Sequence, residues 1–255
     1  MRKIIVMVQH RILAERVLKV LARAQQKDFM TIEAVVSEPS YYTKVLELCS
    51  KPPVWINNSK RNEDEILRTI KMYKIDTAIS LQHRWIISKK IIDAVRGYAF
   101  NIHFGKLPDY RGHLTLTHAI LNNEKFFSIT LQWILPEVDL GLNAYVETIP
   151  VKPDDTSWSL YQKCLTGALK MFRKFINNLC YEKKIPRIPL KGKGHFYSIK
   201  SIEGLKEISS IDNFDEVDKK TRAFYHPPHE PAYFVLNGKK FYVIPKASYC
   251  HHGVR

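Results

Sequence analysis

The feature that most limits what this chain can fold into is the alternation in its first hundred residues. Residues 3–9 are a strand-like run rich in β-branched residues, residues 12–25 carry helical apolar spacing through Leu13, Val17, Val20 and Leu21, and Ile32 to Val36 form a second strand-like run. The pattern repeats: Lys44 to Leu48 reads as helix and Val54 to Ile56 as a short strand. Glu63 to Met72 reads as helix with Ile66, Ile70 and Met72 inward, and Thr77 to Leu81 as strand. Strands alternating with helices predict an α/β fold, a Rossmann-like, mostly parallel sheet with helices on both faces. In such sheets ligands bind beyond the carboxyl ends of the strands. Gln9-His10-Arg11 stands where a Gly-x-Gly-x-x-Gly turn would follow the first strand, so the phosphate-cradling geometry of a dinucleotide site is missing.

Tyr98 to Ile102 reads as a further strand, and its end delivers Asn101 and His103 to that rim. A carboxamide can hydrogen-bond a developing oxyanion, and an imidazole can move a proton at neutral pH. Two residues apart on an extended segment, they share one face. The stretch behind them, Phe104-Gly105-Lys106-Leu107-Pro108-Asp109-Tyr110-Arg111-Gly112, is too rich in Gly and Pro to be core, and an Asp139-Leu140-Gly141 follows downstream. A carboxylate there can hold the imidazole in one tautomer, which completes the parts of an acyl-transfer site.

Asn101, His103, Leu107, Pro108, Tyr110, Arg111 and Gly112, with Asp139 and Gly141, resemble the motif of the formyltransferases that use 10-formyltetrahydrofolate. Two positions depart from it: Gly105 where Ser is frequent and Leu140 where Thr is usual. The resemblance implies that Asn101, His103 and Asp139 are catalytic and that Gly105, Lys106, Leu107 and Pro108 line the folate pocket. His83, Arg84, Tyr110 and Tyr225 are candidates for substrate contacts through pyrophosphate charge or base stacking. No metal is expected. A folate-dependent deformylase or hydrolase is an alternative, since the same groups can direct water instead of an amine.

Asp155-Thr156 reads as a helix start. Trp158, Tyr161, Leu165, Ala168, Phe172, Phe175 and Leu179 then recur at helical spacing, with Lys163, Lys170, Arg173 and Lys174 outward. A basic, proline-punctuated stretch from Lys183 to Lys193 marks a boundary, giving a catalytic domain over 1–185 and a small C-terminal region over 186–255. In that region Glu216 to Phe224 reads as helix. Ala232 to Ile244 reads as a hairpin about Asn237-Gly238, with Tyr233, Val235, Phe241 and Val243 as its apolar residues. A two-stranded hairpin is marginal unless its apolar face is covered, so a two-fold dimer through this segment is expected.

A net charge of +15 admits two readings. One is transfer RNA, because methionyl-tRNA formyltransferase belongs to the resembled family. The other is a nucleotide-linked amino sugar together with folate. After Tyr225 there is room for a hairpin but not for the five-stranded barrel of the tRNA enzyme. Leu81 to Ile86 and Phe224 to Pro228 also resemble the sugar branch. The expected reaction is therefore formyl transfer to an amino-dideoxy sugar, dTDP-linked at its 3- or 4-amine, for bacterial surface glycan synthesis, and nucleic acid is not expected as a partner. No run of eighteen apolar residues and no signal peptide are seen, so a cytoplasmic enzyme is expected. Cys49, Cys164, Cys180 and Cys250 show no paired spacing and read as free thiols. Cys250-His251-His252 alone cannot close a tetrahedral zinc site.

Overall fold

The computed structural model describes residues 1–9, 11–49, 51, 53–136, 139–209, 211 and 213–246. Cys250-His251-His252 and His10 lie outside these residues.

The strands are β1 (Arg2–Val8), β2 (Met30–Ser37), β3 (Val54–Asn57), β4 (Thr77–Leu81), β5 (Ala99–Phe104), β6 (Arg111–Gly112), β7 (Phe126–Trp133), β8 (Leu142–Pro150), β9 (Phe196–Tyr197), β10 (Ala232–Leu236) and β11 (Lys239–Val243). The helices are α1 (Arg11–Gln26), α2 (Pro39–Leu48), α3 (Glu63–Tyr73), α4 (Lys89–Ala94), α5 (Thr115–Leu121), α6 (Ser157–Cys180) and α7 (Phe214–Phe224). A seven-stranded sheet runs in the order β3-β2-β1-β4-β5-β7-β8, and the pairs β2·β3, β1·β2, β1·β4 and β4·β5 are parallel. The mostly parallel α/β fold read from the alternation is the fold observed.

The chain forms two compact units. The first takes in Met1–His103, Ile129–Glu147 and Gly167–Lys193. β4 and most of β1 are buried because both faces of the sheet are covered there. Ile5, Met7, Ala34, Val36, Ala78 and Ala99 pack with Ile66 and Ile70 of α3 and Ile91 and Ile92 of α4. On the opposite face of β5, Phe100 packs 4.7 Å from Phe175 of α6 and 4.3 Å from Trp133 of β7, ring centre to ring centre. Burying an aromatic of this size contributes on the order of 2–3 kcal/mol. Met72, expected inward on α3, is instead 72% exposed. Ile66, Ile70 and Tyr73 already fill the buried side of that helix, and Met72 falls two positions from Ile70, on the far side of the turn.

The second unit takes in Phe104–Ser128, Thr148–Thr166 and the described residues from Gly194 onward. Here β6 pairs in parallel with β9, and α5 packs on α7. The entry to α6 is pinned by Asp155. Its carboxylate accepts from the Lys152 N–H at 2.7 Å, from Ser159 Oγ at 2.7 Å and from Lys163 Nζ. Burial pushes this carboxyl up, but the Lys163 ammonium, the Lys152 N–H and the Ser159 hydroxyl together hold it below its usual value. Lys163, expected outward, therefore turns back along the helix.

The β10–β11 hairpin closes through Asn237 and Gly238, both at positive φ, 48° and 73°, the two-residue geometry that fits strand twist. Its register places Tyr233 opposite Tyr242, Phe234 opposite Phe241 and Ala232 opposite Val243. Tyr233 and Val235 thus lie on one face and Phe241 and Val243 on the other, which corrects the single apolar face expected. The two-residue loop sets Leu236 against Lys239 and carries the register from there.

Candidate active site

β5 carries Asn101 and His103 on one face, as period-two geometry requires. On one side Ser80 of β4 pairs with Asn101. On the other lies β7. The Ile134 N–H, just past the end of β7, donates to Ala99 O at the start of β5. Neighbouring strands bonded start to end run in opposite directions, and two residues further along each, Gln132 stands across from Asn101.

Four polar side chains define the site: Asn101, His103, Gln132 and Asp139. His103 is 8% exposed, and its Nδ1 lies 3.6 Å from Asp139 Oδ1. That is just beyond hydrogen-bond length, and sites of this kind commonly tighten only with substrate bound. Asn101 Oδ1 is buried with no hydrogen-bond partner. The residue missed in the sequence is Gln132, 3% exposed, whose Nε2 donates to Asp139 Oδ1 at 3.0 Å. A signal for it existed. Ser128, Thr130 and Gln132 alternate with apolar residues, the pattern of a strand with one polar face, and all three are buried.

Asp139 reaches His103 because of the residue two positions on. Asp139 itself is left-handed at φ 53°. A Cβ placed on Gly141 would overlap the Trp133 carbonyl oxygen and lie 3.2 Å from Gln132 Oε1. Only glycine lets the loop press this closely on the end of β7, which brings the carboxylate over β5. The Asp-x-Gly spacing is thus a packing requirement as well as a chemical one.

Of the candidate substrate residues, His83 and Arg84 belong to this same unit, in the segment after β4. His83 Nδ1 is buried without a partner, and burial, with Arg84 beside it, lowers the pKa to about 4. His83 borders a shallow cleft with Met7, Ile66, Trp85 and Ile91. Arg84 is exposed and pairs with Glu38 at 3.6 Å.

Gly105, Lys106, Leu107, Pro108, Tyr110 and Tyr225 belong to the second unit. Lys106 is exposed and pairs with Asp109 at 2.9 Å, which raises its pKa. Leu107 is buried, the Leu107–Pro108 peptide is cis, and Pro108 O accepts from the His195 N–H at 3.2 Å. Tyr110 is buried, donates to Glu124 Oε1 at 2.8 Å, accepts from Asn122 Nδ2 at 3.0 Å and stacks on Tyr197, with burial pushing its hydroxyl pKa up. Tyr225 is buried, and its carbonyl accepts from the Trp158 N–H at the first turn of α6. Among the described residues no cluster of three or more His, Cys, Asp or Glu groups could hold a metal ion, and no helix is long and apolar enough to cross a membrane. Cys49, Cys164 and Cys180 are free thiols.

The site can therefore donate an amide N–H to an oxyanion and accept a proton at an imidazole backed by a carboxylate. The model of the formyl transferase family matches residues 3–176, and the chain belongs to that family. A methionyl-tRNA formyltransferase of Sphingopyxis alaskensis is 25% identical over 181 residues, 71% of this chain and 57% of that protein. The chain thus spans little more than half of that relative's length. A GDP-perosamine N-formyltransferase of Brucella melitensis is 25% identical over 182 residues, 71% of this chain and 69% of its own. Among solved structures, an N-formyltransferase of Helicobacter canadensis in complex with folinic acid and dTDP-3-aminofucose superposes with a TM-score of 0.72 at 19% identity, covering 94% of this chain and 86% of that one.

Proposed function

We propose that this formyl transferase family member moves a formyl group from 10-formyltetrahydrofolate to the amine of a nucleotide-linked amino sugar, in the cytoplasm. The observation that carries the reading is the His103–Asp139 pair at 3.6 Å with the Asn101 amide on the same strand face. The sugar acceptor and the folate donor are supported by the named ligands of the Helicobacter protein and the named substrate of the Brucella one.

The residues divide the work as follows. The donor supplies an activated formyl carbon. As the neutral sugar amine bonds to that carbon, its carbonyl oxygen gains charge, and Asn101 Nδ2 donates to it. The amine must lose a proton in the same process. With Nδ1 set against Asp139, His103 accepts that proton at Nε2 and returns one to the leaving nitrogen of the folate. Asp139 holds the imidazole in this tautomer and stabilises its cationic form, as the carboxylate does in other acyl-transfer triads. Gly105 to Pro108 are assigned to the folate, and His83, Arg84, Tyr110 and Tyr225 to the sugar nucleotide. The catalytic domain is assigned to 1–185, and the 186–255 region with its hairpin to a two-fold dimer contact. A dTDP-linked 3- or 4-amino-dideoxyhexose destined for a surface glycan such as a lipopolysaccharide O-antigen is the expected acceptor.

The test is a purified chain given 10-formyltetrahydrofolate and a panel of dTDP-, GDP- and UDP-linked amino sugars, with the formamide product read by mass spectrometry. One or more sugars should be formylated. His103→Asn and Asn101→Ala should each lower the rate about 100-fold or more while folate still binds. Variants within a few-fold of the parent would overturn the assignment. A second reading, formylation of methionyl-tRNA, is favoured by the Sphingopyxis relative and by the +15 charge. It prevails if charged initiator tRNA is the only acceptor used.

A further inference from the structure

Gln132 is an expensive residue to keep where it is. It lies in β7 between Leu131, fully buried, and Trp133, 4% exposed, and is itself 3% exposed. Its Oε1 is buried with no hydrogen-bond partner. Leaving such an acceptor unpaired costs about 1–3 kcal/mol, a cost an apolar side chain of the same length would avoid. The amide orientation is not in doubt, because a carboxylate can only accept and Nε2 must be the end facing Asp139.

The other end of the amide explains the retention. Nε2 donates to Asp139 Oδ1 at 3.0 Å, and that same oxygen faces His103 Nδ1 at 3.6 Å. Asp139 has no regular element to hold it: it sits in the loop after β7, at φ 53°. Two successive residues at the end of β7 grip that loop. Trp133 does so through its carbonyl, against which Gly141 is pressed, and Gln132 through its amide.

The geometry points to Gln132 as a positioning residue for the proposed formyl transfer: it fixes the Asp139 oxygen that faces His103 Nδ1, and so keeps Nε2 as the nitrogen that takes the amine proton. The role rests on the reaction proposed above, but the geometry does not, and the two can be tested apart. Without the Nε2 donor, Asp139 Oδ1 loses one of the contacts that place it against His103 Nδ1, and the selection of one tautomer weakens.

The test uses the full chain with 15N-labelled histidine, without substrate. Long-range proton–nitrogen spectra report which ring nitrogen of His103 carries the proton, the resonances being assigned by comparison with His103→Asn. The parent should show the Nδ1–H form, and Gln132→Met a mixture of the two. Gln132→Glu, of the same shape but without the amide donor, should show the same mixture. This second variant also decides the matter should Gln132→Met not fold. In turnover, Gln132→Met should lower kcat by about 10- to 100-fold with KM for the formyl donor within a few-fold. A merely structural residue would instead lower the melting temperature and leave the tautomer and the pH profile as they are. An unchanged tautomer in both variants would overturn the positioning role, whatever the turnover. A shift in the ring signals of a chain that formylates no amine would keep the positioning role and sink the reaction.

Discussion

Gly141→Ala is the sharpest test of how the carboxylate is delivered. The added Cβ meets backbone, not a flexible side chain: it overlaps the Trp133 carbonyl oxygen and lies 3.0 Å from the Trp133 carbonyl carbon. Trp133 is the last residue of β7, which is held in the sheet between β5 and β8. The loop must therefore give way. Clearing the carbonyl to ordinary contact takes a displacement of about 1 Å or more, and a shift of that size at a catalytic group costs about 100-fold in rate. Overpacking at a fixed backbone adds about 1–3 kcal/mol of destabilisation. Steady-state formyl transfer should thus fall about 100-fold in kcat, and urea unfolding should show the lower midpoint. Gly238→Ala is the control, since nothing lies within 4 Å of its added Cβ although its φ is +73°. It should lose about 1 kcal/mol of stability from backbone strain alone and keep its turnover. A Gly141→Ala enzyme with the parent's kcat and unfolding midpoint would refute the packing account of the Asp139 loop.

Asp155→Ala should cost about 3 kcal/mol in urea unfolding, because it strands the Lys163 ammonium and removes the acceptor for the Lys152 and Ser159 groups at the α6 entry. A loss below about 0.5 kcal/mol would show that α6 does not depend on that cluster. His83 and His118 have pKa values lowered to about 4 from 6.5, in each case chiefly by burial. The native chain then binds fewer protons than the unfolded one between those values, so stability is fully present above pH 6.5 and is lost as pH falls toward about 4. Melting temperatures should follow that window, and His118→Gln should flatten the fall; an identical slope in the variant would exclude His118 as a contributor. Affinity for transfer RNA should be weak and collapse between low and physiological salt, measured by titration, and a salt-insensitive nanomolar affinity would contradict this. Sedimentation should give twice the monomer mass for the full chain and monomer or aggregate after removal of residues 230–255, whereas a monodisperse full-length monomer would show that the hairpin is covered within its own subunit.

Much of the sheet was legible because its strands are continuous apolar runs separated by amphipathic helices, as in Ile4 to Val8 and Leu13 to Leu21. The Asn237-Gly238 turn was legible because few other pairs accept two positive φ angles in succession. β7 and β8 were not. β7 buries Ser128, Thr130 and Gln132, polar residues whose inward placement depends on hydrogen bonds that composition does not reveal. Met72 is apolar but lies two positions from Ile70, off the stripe that Ile66 and Ile70 form, so its character alone misleads. In the site, the Asn101-x-His103 spacing is a local property of a strand and can be read directly. The partnership of His103 with Asp139 depends on a close approach of Gly141 to Trp133, and that of Gln132 with Asp139 on the same loop. Neither contact has a signature in residue spacing, so only family resemblance reached Asp139 and nothing reached Gln132.

The hairpin turn has a use of another kind. Asn237 and Gly238 are exposed, and nothing surrounds the Gly238 position within 4 Å. The ladder from Leu236–Lys239 to Ala232–Val243 is complete without help from the turn's side chains. A fluorophore can therefore be attached beside the turn, through Lys239→Cys, as an optical handle that leaves the two-residue loop and its register intact. Paired dyes there would report self-association in real time during turnover.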